Sequence, residues 1–185
     1  MADPDAGSDA DWVARARAGN DAARTVLVRR HHAGCLRFAR HLLGDAADAE
    51  DAVQDTFIRA FAALRRYDER DAFRAWLFGI LVNRCRTLAA RRSGRRRRFV
   101  SDGLARVDAV VPGPAGALDA QRNLVRALGG LDLAHREAFL LRVCEEMEYD
   151  EMARLTGIAA PALRMRVKRA RDHVRAHWIE VPDGS

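Results

Sequence analysis

The chain has 185 residues, a formal net charge of +6 and an isoelectric point near 10.2. That length suits one domain or two small ones, and that charge suits a polyanionic partner, either nucleic acid or an acidic membrane surface. Cys35, Cys85 and Cys144 are far apart and form no C-x-x-C pair, which argues against a disulfide framework and for a reducing compartment.

The N-terminal "MADPDAGSDAD" is acidic and polar, unlike a signal or transit peptide. The longest strongly apolar run, "WLFGILV", is far too short to cross a bilayer. A soluble cytoplasmic protein is expected. Aromatics make up only 6% of the chain, which suits small helical bundles with Leu, Val and Ala cores. Lys168 is the only lysine, so basic positions carry more meaning than arginine counts.

In chain order, "DWVARARAGNDAARTVLVRRHHAGCLRFARHLLG" reads as helices throughout. It places Val13, Ala16, Val26, Leu27, Cys35, Leu36, Phe38, Ala39, Leu42 and Leu43 at helical spacings. His31, His32 and Cys35 have a spacing that could begin a metal site, but no second cysteine follows nearby, which favours a structural role. Gly44 ends a helix, and Asp45 and Asp48 suit the cap and first turn of the next. That helix carries an apolar stripe of Val53, Phe57, Phe61 and Leu64. After "DERD", the segment "AFRAWLFGILVNRCRTLAARR" is another helix, with Phe73, Trp76, Leu77, Ile80, Leu81, Cys85 and Leu88 at its apolar positions.

Residues 94–117 hold "PGPAG" and little periodicity, which predicts a linker. Beyond it lie helices around "LDAQRNLVRALGGL", "AHREAFLLRVCEE", "YDEMARLTGI" and "APALRMRVKRARDHVRAHW". No run alternates as a strand does. The predicted fold class is all-α, with two small helical domains over 12–93 and 118–178.

The charges are segregated. Five acidic residues and no basic one lie between Asp45 and Asp55, with Asp51, Gln54 and Asp55 on one face of one turn. Such a patch fits docking to a basic protein surface, and equally a solvated helix start favoured by the dipole. From Ala72 to Arg98 the sign reverses: arginines from Arg74 to Arg98 appear with no acid among them. Phe73, Trp76 and Phe78 lie among these arginines, and charge beside ring faces is what single-stranded nucleic acid needs. Phe73, Trp76 and Ile80 are also at core spacing, so burial competes with that use.

The terminal block has the spacing of a helix-turn-helix. Ala153 lies four residues before Gly157, and Leu163 six after it. A small residue lets the helices cross, glycine accepts the left-handed turn, and an apolar residue plugs the second helix onto the first. Leu163, Val167, Ala170 and Val174 then form a buried stripe, and Arg164, Lys168, Arg171 and Arg175 form a basic stripe one residue along, with Arg166 and Arg169 flanking. A basic amphipathic helix can also lie on a membrane or bind calmodulin, but the preceding turn favours DNA.

The segments "LLGDAADAEDAVQDTFIRAF", "FRAWLFGILVNRCR" and "LVRALGGLDLAHREAFLLRVCEEMEYDEMARLTGIAAPALRMRVKRARDHV" carry a resemblance to the extracytoplasmic-function (group IV) sigma factors of bacterial RNA polymerase. It covers roughly residues 12–178, and it implies a region-2 domain, a linker and a region-4 domain with no catalytic chemistry, metal or cofactor. The resemblance implies that Asp48, Asp51, Gln54 and Asp55 meet the clamp of the largest polymerase subunit. It implies that Tyr67, Arg70, Phe73, Arg74, Trp76, Asn83, Arg84 and Arg86 serve the −10 element, where a base flips from melted DNA. It implies that Ala160, Pro161, Arg164, Met165, Arg166, Lys168 and Arg169 read the −35 major groove. Apolar residues of "HREAFLLRV" would pack on the flap of the second-largest subunit, and an anti-sigma factor is an expected further partner.

The chain departs from the family pattern in places. Ala159, Ala160 and Ala162 stand where hydroxyls are usual, Glu148 where a serine commonly caps, and Asp132 where proline is common; Thr87 lies near the place of a missing aspartate. Two other functions are compatible with helical DNA-binding architecture: a sigma-like decoy that titrates an anti-sigma factor, and a conventional helix-turn-helix repressor. The retained charge in the last helix disfavours the decoy, and the acidic face with its neighbouring arginine field disfavours the repressor. No P-loop, G-x-S-x-G, H-E-x-x-H or C-x-x-C motif suggests an enzyme.

Overall fold

Polar caps set where four of the described helices begin. In the computed structural model, which describes residues 7–68, 72–98 and 123–177, helix α1 (Asp9–Arg17) opens on a capping box. The Ser8 hydroxyl accepts from the Asp11 amide, and the Asp11 carboxylate accepts from the Ser8 amide at 2.9 Å. Gly19 and Asn20 break the chain, and the Asn20 side chain caps α2 (Asp21–Leu43). This break divides the stretch that periodicity reads as helices without placing a boundary between them. Gly44, at φ 66°, ends α2, and its amide donates to the Arg40 carbonyl. Asp45 caps α3 (Ala46–Ala63) by accepting from the Asp48 amide at 3.0 Å.

A 3₁₀ turn (Leu64–Arg66) follows, then α4 (Phe73–Arg98). Helix α4 runs five residues into the segment expected to be a linker; arginine propagates a helix well, and one internal glycine costs only about 1 kcal/mol. The rest of that segment, and Arg70, lie outside the described residues. Helix α5 is described over 123–129. Asp132 then caps α6 (Leu133–Phe139), and its carboxylate is held below the usual range, chiefly by the His135 amide. So the aspartate that stands in place of a proline starts the helix by another route. A π-helical turn (Leu140–Cys144) extends α6, followed by α7 (Tyr149–Thr156) and α8 (Ala160–His177). No strand occurs among the described residues, in keeping with the all-α expectation.

The first domain packs α1 to α4 around Leu27, Phe38, Leu42, Val53, Leu77 and Leu81. Phe38 meets Phe78 edge-on, with ring centroids 5.4 Å apart. The second domain packs α5 to α8 around Leu128, Leu140, Met147, Met152, Leu163 and Val167. Full burial of each such side chain stabilises by roughly 1.5–3 kcal/mol. The two cores join into one cluster, with α7 against α4 and α6 against α2. The Arg136 guanidinium spans the junction, donating to the Leu42 carbonyl on α2 at 2.9 Å and to the Leu128 carbonyl at 2.8 Å.

The candidate metal residues have separate structural uses. His31 pairs with Asp9 at 2.7 Å, His32 stacks on Phe57, and Cys35 is buried. No group of three or more metal-ligating side chains converges among the described residues. Desolvation pushes the Cys35 and Cys85 thiols up to about 12 and also raises Cys144. All three therefore stay protonated near neutral pH, which suppresses thiolate chemistry.

Candidate nucleic-acid interface

Three surfaces follow from these helices. On α3, burial of Ala52, Val53, Thr56 and Phe57 turns Asp51 and Gln54 outward, and both are exposed. The neighbouring acids are engaged. Arg92 reaches Asp45 at 3.3 Å and Asp48 at 3.5 Å. Asp55 lies between Arg59 at 2.6 Å and Arg84 at 2.8 Å, and the Arg59 hydrogen bond is the chief reason its carboxyl lies below the ordinary value. Ile58 is 61% exposed and continues the same face one turn beyond Gln54 and Asp55. Sequence reading missed it, although an apolar residue off the core stripe at i+7 from Asp51 was a visible signal.

The second surface is α4. Arg74 and Asn83 are exposed and Trp76 is half-buried. The Trp76 ring lies 4.6 Å from that of Tyr67. Tyr67 and Phe73 were expected at the −10 strand, but they are only 6% and 2% exposed. Phe73 is enclosed by His31, Tyr67 and Trp76, so core packing has claimed it and it cannot stack on a base in this arrangement. Arg84 turns back to Asp55, joining the basic helix to the acidic face. Arg74 and Arg86 face the second domain. Arg86 makes a bidentate pair with Glu137 at 2.7 and 2.8 Å, which raises its already high pKa. Arg74 lies over the Phe78 ring and pairs with the Glu145 carboxylate. A groove of about 490 Å³ opens beside the contact of α4 with α7, lined by Tyr67, Trp76, Asn83, Glu151 and Arg154 among others.

The third surface is the helix-turn-helix of α7 and α8. Gly157 takes the left-handed conformation at φ 71°, and its amide donates to the Ala153 carbonyl. Leu163, Val167, Ala170 and Val174 are buried as the stripe predicts, and Leu163 is 0% exposed. Arg164, Lys168, Arg169, Arg171 and Arg175 are exposed, while Arg166 is partly covered. Helix α8 begins at Ala160, so Pro161 is its second residue, where a missing N–H still costs no intrahelical bond. Pro161, Ala162 and Met165 are exposed in the first turns, and Ala160 is partly so. Glu148 begins α7 without a side-chain cap. The Tyr149 ring lies beneath both Arg142 and Arg164, at 5.3 and 5.1 Å, tying the first turns of α8 to α7 by cation–π contact.

One expectation needs correcting. The apolar residues of "HREAFLLRV" were expected to offer a flap-binding surface. Ala138, Phe139, Leu140 and Leu141 are instead buried in the joint core, and only Val143, at 38%, is exposed.

Comparisons with known proteins agree with this anatomy. Residues 27–97 match the Sigma-70 region 2 family and residues 121–174 the Sigma-70 region 4 family. The RNA polymerase sigma factor NccH of Alcaligenes xylosoxydans xylosoxydans is 36% identical over 181 residues, covering 95% of this chain and 96% of the relative. The RNA polymerase sigma factor CnrH of Cupriavidus metallidurans is 35% identical, covering 91% and 94%. Among solved structures, CnrH in complex with the cytosolic domain of CnrY superposes with a TM-score of 0.69 at 31% identity, covering 92% of this chain and 96% of that one. The sigma factor RpoE of Bartonella quintana, in complex with the anti-sigma factor NepR, gives 0.70 at 29% identity, covering 84% and 96%. A region-2 bundle with a split acidic and basic surface, followed by a region-4 helix-turn-helix with a cationic outer face, is thus matched over nearly the whole chain: the protein belongs to the extracytoplasmic-function sigma factors of RNA polymerase.

Proposed function

We propose that the chain docks on the clamp of core RNA polymerase through α3, with Asp51 and Gln54 as the exposed contacts and Asp48 and Asp55 at the margin. Helix α4 takes the melted −10 strand through Arg74, Trp76, Asn83 and Arg86, while Tyr67 and Phe73 support it from beneath. Helix α8 enters the −35 major groove with Pro161, Arg164, Met165 and Lys168 foremost. Val143 is the apolar residue left to meet the flap. A cytoplasmic location follows from such a role, and no described helix is long and apolar enough to cross a membrane. Two solved relatives are bound to CnrY and to the anti-sigma factor NepR, which supports an anti-sigma partner for this chain as well.

The observation that carries the −35 assignment is the exposed cationic face of α8 opposite a fully buried Leu163. Replacing Arg164 and Lys168 together by alanine is expected to weaken binding to −35 duplex and lower −35-dependent transcription. The slope of log affinity against log salt should flatten by up to about 1.8, roughly 0.9 for each of the two cations that also neutralises a phosphate. Fluorescence anisotropy across a salt series measures this. Wild-type slope and affinity would remove α8 from the DNA.

A further inference from the structure

Helix α8 turns an apolar tip toward solvent. Met165 stands two residues after Leu163 and two before Val167, and both of these are buried, so helical geometry points Met165 directly away from the core. It is 51% exposed. Pro161 and Ala162, one turn earlier on the same side, are exposed as well. None of these three side chains carries a hydrogen-bond donor, and the methionine sulfur is only a weak acceptor. Cations flank the tip. Arg164 is exposed beside it, and Lys168 and Arg169 are exposed one turn further on. The Arg164 guanidinium lies over the Tyr149 ring at 5.1 Å, which draws it to the α7 side of the tip. Asp172, the only acid of α8, lies two turns beyond Met165 and opposes a phosphate there. The first turns of α8 are therefore the part that comes nearest a polyanion.

An apolar centre between cations is complementary to one feature of duplex DNA. The cations meet phosphates on either side of the major groove. Between the phosphates, the base edges present hydrogen-bonding groups and one aliphatic group, the C5-methyl of thymine. A polar base edge held against Met165 would lose water and gain no partner, which is unfavourable. A thymine methyl in the same place loses only apolar hydration, which is favourable.

We infer that the tip of α8 selects thymine methyl groups, so that the −35 element carries A·T pairs whose thymines face Pro161, Ala162 and Met165. This rests on the reading of α8 as the −35 helix. Specificity at those pairs comes from burial of the methyl and rejection of polar edges, while the flanking cations contribute affinity through phosphates.

The test uses the chain assembled with core polymerase and a pool of randomised promoter duplexes. The pool is prepared in two forms, one with thymidine and one with deoxyuridine, which keeps the base pairing and removes only the methyl. Duplexes bound from the thymidine pool should be enriched in A·T pairs within the upstream element, and that enrichment should be lost from the deoxyuridine pool. On one selected duplex, exchanging a single such thymine for uracil should weaken binding by about three- to fourfold, the effect of one buried methyl. Met165→Ala should weaken binding of the thymine form and bring at least one thymine-to-uracil affinity ratio close to one, with the salt slope unchanged. Equal binding of the thymine and uracil forms would overturn the inference and leave α8 as the −35 helix. So would a Met165→Ala loss that is the same on both forms, which would give Met165 a protein contact instead. An upstream region whose enrichment is indifferent to alanine at Arg164 and Lys168 would remove the −35 reading and the inference with it.

Discussion

Replacing Leu163 by alanine is expected to destabilise the second domain by roughly 2–5 kcal/mol, the range for truncating a fully buried leucine. Leu163 has no exposed surface and anchors α8 onto the joint core, and collapse around the cavity is restrained by the neighbouring Val167 and Met152. For a chain of this size the loss corresponds to a fall in melting temperature of roughly 4–20 °C. Met165, two residues along the same helix, is 51% exposed. Its replacement by alanine should change stability by no more than about 0.5 kcal/mol. Urea titrations followed by circular dichroism compare the two. Equal effects would mean that α8 does not seat its apolar stripe as described, and the outward direction of its cationic face would fall with it.

The second large effect concerns the polymerase. Asp51→Arg with Gln54→Ala should lower affinity for core polymerase at least about tenfold, or 1.4 kcal/mol, while leaving the melting temperature unchanged. Both side chains are exposed, so the fold has little stake in them, and the reversed charge sets arginine against any basic docking surface. Their neighbours would respond differently. Asp55 is shared by Arg59 and Arg84, and Asp48 contacts Arg92, so altering either disturbs intramolecular pairs as well. Unchanged co-purification of the double variant with core would contradict docking through α3.

Much of this fold could be read from residues alone, because the helical signals are local. The apolar stripes of α3 and α8, the Gly44 stop and the Gly157 turn all lie where spacing puts them. The misses have physical reasons. The break between α1 and α2 rests on one asparagine cap and one glycine, a signal only two residues long. The π-turn at Leu140–Cys144 has no composition of its own, and Glu145, which pairs with Arg74, follows it directly. The site was legible in part. Charge segregation located the acidic and basic surfaces, and the exposed face of α8 follows from its stripe. Which arginines remain available does not follow from spacing, because Arg74, Arg84 and Arg86 are each claimed by a carboxylate distant in sequence. The same holds for Phe73, whose spacing fits both a core ring and a stacking ring; packing against His31 and Tyr67 decides for the core.

With α4 and α8 in their proposed roles, this chain gives core polymerase its promoter specificity through two separate readers. Reconstituted transcription tests it most directly: purified core polymerase and the chain are mixed on a library of randomised promoter DNA, and the transcribed templates are sequenced. Transcripts that depend on the chain, and an enriched pair of elements at fixed spacing, are expected. The upstream element should lose its enrichment when Arg164 and Lys168 are replaced by alanine. Transcripts that start without such paired elements, or a chain that binds core and DNA yet directs no initiation, would contradict it.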